Sequence, residues 1–237
     1  MNEKNPQRPV SESTIIRSIS AIYDRVQIPQ NLRVHMLDAA SVGALVCANW
    51  RGPKISEKKV VATLLVHDLA NIIKFDMGRR GILLMTAADR KSIDFWRAIK
   101  AEATAKYGND AEEAVVKMAK DLNLSNSVVS LLEKMSAVHS KRYEIGKVLL
   151  QKDRELAICL YADWRVNPRG IVSIAERAHD LSIRYNIRAN EIRKLHSEAS
   201  MLEEWLFRNV KLSPAEINSS SARRYLQMFN SGKFILS

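Results

Sequence analysis

NLRVHMLDAASVGALVCANW, residues 31–50, carries apolar side chains on nearly every side of a helical wheel. A helix with no broad polar face cannot lie on a surface, so this one belongs at the centre of a domain. Pro29 breaks the chain before it, and RGPK at 51–54 turns the chain after it. Upstream, residues 11–27 space Ile15, Ile19, Ile22 and Val26 four, three and four apart, a helical repeat. Downstream, Ser56 caps a helix that runs through Val60, Val61, Leu64, Leu65, His67 and Asp68 toward Phe75.

The pattern persists to the end of the chain. MGRRG at 77–81 is a turn, and residues 89–107 form an amphipathic helix with Ile93, Trp96 and Ile99. Asp110 and Glu113 read as a capping box for 111–120. Ser125 or Ser127 opens a helix containing Val128, Leu131, Leu132 and Met135. Segments 138–150 and 152–164 follow, the second strongly apolar, and NPRG at 167–170 ends it. Ser173 and Glu176 make a further capping box, and 188–209 reads as a long amphipathic helix. Ser213, Pro214 and Glu216 supply the cap, first-turn proline and acid of a last helix.

Composition agrees. Of 237 residues only 8 are Gly and 6 Pro, too few for the many tight turns of a barrel or sandwich, while 46% are hydrophobic, enough for a sizeable core. The expectation is an all-α helical bundle, one compact domain over 11–185. A helical extension, 186–237, packs on the core or in a homodimer interface. No strand is expected. The first residues are polar, with no secretory leader, and no run of 18 apolar residues offers a membrane span. Cys47 and Cys159, the only cysteines, sit in apolar segments and read as buried reduced thiols, which points to the cytoplasm. The net charge of +11, from 37 Lys+Arg against 26 Asp+Glu, favours phosphate-bearing partners, nucleic acid among them. Yet the cations are dispersed among acids, as on any solvated helical surface.

Two of the five histidines lie on the most apolar segments. His67 is followed at once by Asp68. Burying an imidazole beside a carboxylate is costly unless something pairs with them. A buried Arg or a backbone group would make the pair structural; a divalent cation, which both side chains ligate, would make it functional. On an ideal helix the two project about 100° apart, so they can flank an ion but not enclose it. His35, on the 31–50 helix, and Asp163, near the end of LAICLYAD, are the other polar groups unexpected on apolar helices. His179-Asp180 repeats the dipeptide on a polar stretch and reads as a surface pair. No P-loop, dinucleotide, nucleophile-elbow or Cys-x-x-Cys pattern occurs.

The order His35 … His67-Asp68 … Asp163 resembles the HD superfamily of metal-dependent phosphohydrolases. LLVHDLANIIKFD (64–76) is similar to its central motif helix, IPQNLRVHMLDAASVGALV to its first, and YADWRVNPRGIVSIAER to its last, over roughly residues 11–185. The resemblance implies an all-helical fold and one divalent ion, Mn²⁺, Fe²⁺, Co²⁺, Ni²⁺ or Zn²⁺, held by His35, His67, Asp68 and Asp163. It also implies cleavage of a phosphate ester in a nucleotide or similar small molecule by a metal-bound water. Lys74 and Arg165 would contact the phosphate; Arg33 is a weaker candidate, facing elsewhere on an ideal helix. Where the family's deoxynucleotidases carry a proton-transfer glutamate, three residues past the motif aspartate, this chain has Asn71, which cannot act as a base. Asn71 would then orient a water or a substrate group. Asp76 matches a later acid of that pattern and is a substitute base or else a helix-end acid. His139, alone among histidines between the His-Asp pair and Asp163, sits at an apparent helix start and reads as structural or surface, or else as site-lining. The alternative to an enzyme is a metal-containing nucleotide- or RNA-binding module.

Overall fold

The computed structural model describes residues 18–82 and 85–231. Residues 11–17 of the first expected helix, Ile15 included, lie outside them. Helix α1, Ile19–Val26, begins at Ser18, whose hydroxyl accepts from Ala21 N, and stops at Gln27 in the left-handed region. Helix α2, Gln30–Ala48, is the centre of the fold: every residue from Met36 to Val46 is buried. Its first amide, Gln30 N, borrows a cap from Asp89 Oδ2 at 3.3 Å.

Helix α3, Glu57–Leu64, crosses α2 closely. A Cβ on Gly43 would stand 2.3 Å from Leu64 Cδ1, so the glycine permits the approach that places the end of α3 against α2. Here the expected helix to Phe75 is corrected. It stops at Leu64, and residues 65–74 run as overlapping three-residue turns, with Leu69 N bonded to Val66 O and Asn71 N to Asp68 O. The cause is competition for carbonyls. The buried Tyr23 hydroxyl donates to Leu65 O at 2.7 Å, and His67 Nδ1 to Leu64 O at 2.7 Å. Those two oxygens would otherwise accept the next helical amides.

The short helices α4, Arg79–Ile82, and α5, Ala87–Lys91, lead into α6, Ile93–Tyr107, so the expected 89–107 helix breaks at Ser92. Helices α7, Ala111–Asp121, and α8, Asn126–His139, form a pair. His139 therefore ends a helix instead of starting one. Helix α9, Ile145–Leu150, precedes the buried α10, Arg154–Trp164. The NPRG turn forms a two-stranded antiparallel hairpin, β1 (Val166–Asn167) and β2 (Gly170–Ile171), where no strand was expected. Helices α11, Ile174–Tyr185, and α12, Ala189–Phe207, fold back as a hairpin, with the Ser173–Glu176 capping box in place. Ser213 and Glu216 cap only a 3-10 turn, Pro214–Glu216; Asn218 restarts the chain as α13, Ser219–Asn230.

The architecture is an all-α bundle. Helix α2 packs against α3, α10 and α13, and α8 closes over α3 and α10. The segment after 185 is part of the same body: Leu202, Leu206 and Phe229 are buried in one core with Met36 and Ile158. Among the described residues no helix is long and apolar enough to cross a membrane.

Candidate metal centre

Four polar side chains from α2, the turn after α3, and α10 converge. His35 Nε2 lies 3.0 Å from Asp163 Oδ1 and 3.4 Å from Asp68 Oδ2. His67 Nε2 lies 3.5 Å from Asp163 Oδ1 and 3.7 Å from Asp68 Oδ1. The two imidazole centroids are 5.3 Å apart. Donor atoms of His35, His67 and Asp163 all fall within 4.8 Å of one another. Ligands about 2.1 Å from a common ion, at roughly 90–110° to each other, stand about 3.0–3.4 Å apart. The spacing therefore suits a small divalent cation, and the mixed nitrogen and oxygen donors suit the first-row transition metals.

The turn that replaces the helical continuation is what aims His67. Its Nδ1–H is spent on Leu64 O, which leaves Nε2 as the ligating nitrogen, an orientation characteristic of metal-binding histidines. His67 Nε2 is buried with no hydrogen-bond partner. Leaving a buried polar atom unpaired costs about 1–3 kcal/mol, so protein groups alone under-satisfy this cluster.

Side-chain exposure rises outward from 1% at His67, through 15% at His35 and 18% at Asp163, to 27% at His139 and 52% at Lys74. The cluster thus opens on the side of His139 and Lys74. Lys74 Nζ bonds Glu112 Oε1 at 3.0 Å, the other Glu112 oxygen lies 3.4 Å from His139 Nδ1, and His139 Nε2 lies 3.7 Å from Asp163 Oδ2. Nothing in the sequence points to Glu112, whereas His139 reads there as structural or surface, or else as site-lining. An acid in the first turn of a helix is already accounted for by the helix dipole, so nothing local marks Glu112. A third histidine, lying between the His-Asp pair and Asp163 in the chain, was the available signal for His139.

The electrostatics follow from this packing. Burial opposes charge on His67, but Asp68 and Asp163 outweigh it and lift the imidazole to about 9 in the ion-free protein. Burial would raise Asp163; His35 and His67 instead hold it well below the usual carboxylate range. Burial likewise works against Glu112, yet His139 and Lys74 pull it down to about 2. His67 therefore stabilises the ion-free fold fully below pH about 6.5, its ordinary value, and loses that contribution as pH rises through about 9. Asp163 contributes above its ordinary 3.8 and loses its contribution on acidification. A cation must displace the His67 proton, so its binding strengthens with pH up to about 9. Chelation should then lower the melting temperature more at pH 8.5 than at pH 6.5; an equal drop at both would contradict a ligand role for His67.

The remaining predicted residues stand elsewhere or are otherwise engaged. Asn71 lies half-buried one turn past Asp68. Asp76 is exposed and accepts from Gly78 N at 2.8 Å, so it shapes a turn and does not join the cluster. Arg33 bonds Asp24, Ile28 O and Tyr23 O. Arg165 is the main correction. Its guanidinium is buried and donates to Tyr161, Val172 O, Pro214 O and Ile217 O, with Glu203 Oε2 at 3.5 Å. It pins the hairpin and the C-terminal segment and is not free for a phosphate. The nearby Glu176 carboxylate is engaged in capping its own helix at Ser173.

No protein-family model, curated protein or solved structure matches the chain.

Proposed function

We propose that the cluster is a one-ion divalent metal centre and that the chain is an HD-type phosphohydrolase acting in the cytoplasm on a small phosphorylated substrate, a nucleotide or a similar molecule. The observation that carries this reading is the buried, unpartnered Nε2 of His67, facing two carboxylates and a second imidazole. Bound there, a divalent ion supplies a Lewis acid for phosphate oxygens and water ionised near neutral pH. The chain's own groups do the rest. His35, His67, Asp68 and Asp163 hold the ion. Lys74, half-exposed at the open edge, presents an ammonium to the phosphate. Asn71 offers an amide that can orient a water or a substrate group.

The test is release of phosphate or nucleoside from a panel of nucleotide mono- and diesters, with Mn²⁺, Fe²⁺, Co²⁺, Ni²⁺ or Zn²⁺ added singly. Turnover that needs metal and disappears in Asp68→Ala is the expected result. One feature favours a second reading: Asn71 stands where a base would serve, and Asp76 points to its own turn. A nucleotide- or RNA-binding module would bind tightly on the same panel and turn nothing over with any metal.

A further inference from the structure

We propose that Glu112 is the positioning residue of this centre: a single carboxylate from the first turn of α7 fixes both basic groups at its open edge, Lys74 through one oxygen and His139 through the other. The inference rests on the metal-centre reading for its meaning, but its geometry stands apart from it.

Lys74 belongs to the turn segment behind Asp68, and its long side chain reaches solvent. Held 3.0 Å from Glu112 Oε1, the ammonium is confined to one place at the edge of the cluster. His139, the last residue of α8, has two ring nitrogens and two acidic neighbours, Glu112 and Asp163. An ionised Glu112 only accepts, so it holds a proton on Nδ1, while Nε2 faces the Asp163 carboxylate. Glu112 itself is kept in place because Asp110 Oδ1 takes its amide at 2.8 Å, fixing the first turn of α7. The same arrangement argues against a second cation beside the first. The carboxylate that would ligate it is occupied by an ammonium, which would repel it.

Glu112→Gln tests this without changing size. The amide keeps one acceptor, which can still take the Lys74 ammonium, and converts the other atom to a donor, which can meet His139 Nδ1 only once that nitrogen has given up its proton. The expected results are unchanged metal content, at one ion per chain, and a fall in kcat/KM of about 10–100-fold, the range seen when groups that orient a site are lost. Because Glu112 acts in part through Lys74, the double variant Glu112→Gln with Lys74→Ala should lose far less in total than the product of the two single losses. Multiplicative losses, or a Glu112→Gln enzyme within about twofold of the parent, would overturn the proposal.

A second measurement does not depend on turnover. The ¹⁵N–¹H spectrum of the His139 ring, identified by its absence in His139→Asn, should show a proton on Nδ1 in the parent and its loss in Glu112→Gln. An unchanged ring signal would overturn the proposal even if no phosphate ester is hydrolysed. Should Glu112→Gln fail to fold, Glu112→Asp, whose carboxylate is drawn back by one methylene, is read by the same two measurements.

Discussion

Asp163→Ala is expected to cut metal-dependent phosphate release by more than about 100-fold, beyond the loss typical of groups that merely orient a metal ligand. Asp163 is the hub of the cluster. One of its oxygens lies 3.0 Å from His35 Nε2 and 3.5 Å from His67 Nε2, and the other lies 3.7 Å from His139 Nε2. Its removal takes away an anionic donor and leaves three imidazoles facing a methyl group. Metal affinity should fall with activity, so a chelator should no longer shift the melting temperature of the variant. Asp163→Asn, which keeps the shape but not the charge, should share both defects. A variant with parental metal content and turnover would remove Asp163 from the centre.

Arg165→Met should act in the opposite sense, on stability and not on chemistry. The Arg165 side chain is 4% exposed and its donors serve Val172, Pro214, Ile217 and Tyr161. Methionine restores the volume of the stem but none of these bonds, and Glu203 loses its cation. Breaking a buried, hydrogen-bonded ion pair costs about 3–5 kcal/mol. For a chain of this size that is roughly 6–20 °C of melting temperature, at about 2–4 °C per kcal/mol. Arg165→Lys should recover little, since a single ammonium cannot span four acceptors arranged for a planar fork. The metal content of whatever remains folded should match the parent. A selective loss of substrate affinity with no loss of stability would restore the phosphate-contacting role expected of Arg165.

The contrast between these two residues shows what a sequence can reveal here. Helix α2 is legible because burial on every side leaves an unbroken apolar surface, and that is a local property. His35, His67, Asp68 and Asp163 are legible because polar groups in such apolar segments need partners, and the fold brings the four together. Arg165 misleads because its surroundings are not local: its acceptors include residues 214 and 217, brought in only when the C-terminal segment folds back. The end of α3 at Leu64 is hidden for the same reason, since the hydroxyl that takes Leu65 O comes from Tyr23, 42 positions earlier. Glu112 meets Lys74 across 38 positions, and its placement in a helical first turn already has an ordinary explanation. Capping signals fared unevenly. Ser173 and Glu176 close a full box, whereas Ser213 and Glu216 close one around a single 3-10 turn, because the chain must redirect before α13 can pack on α2.

One cation is proposed to complete the cluster of His35, His67, Asp68 and Asp163, and anomalous diffraction from crystals of the purified protein, collected across the absorption edge of the metal found in it, would locate it. A single peak about 2.0–2.3 Å from His67 Nε2, His35 Nε2 and the Asp163 and Asp68 carboxylates is the predicted result. Protein that binds none of the five metals, with both imidazoles bonded only to the neighbouring carboxylates, would contradict it.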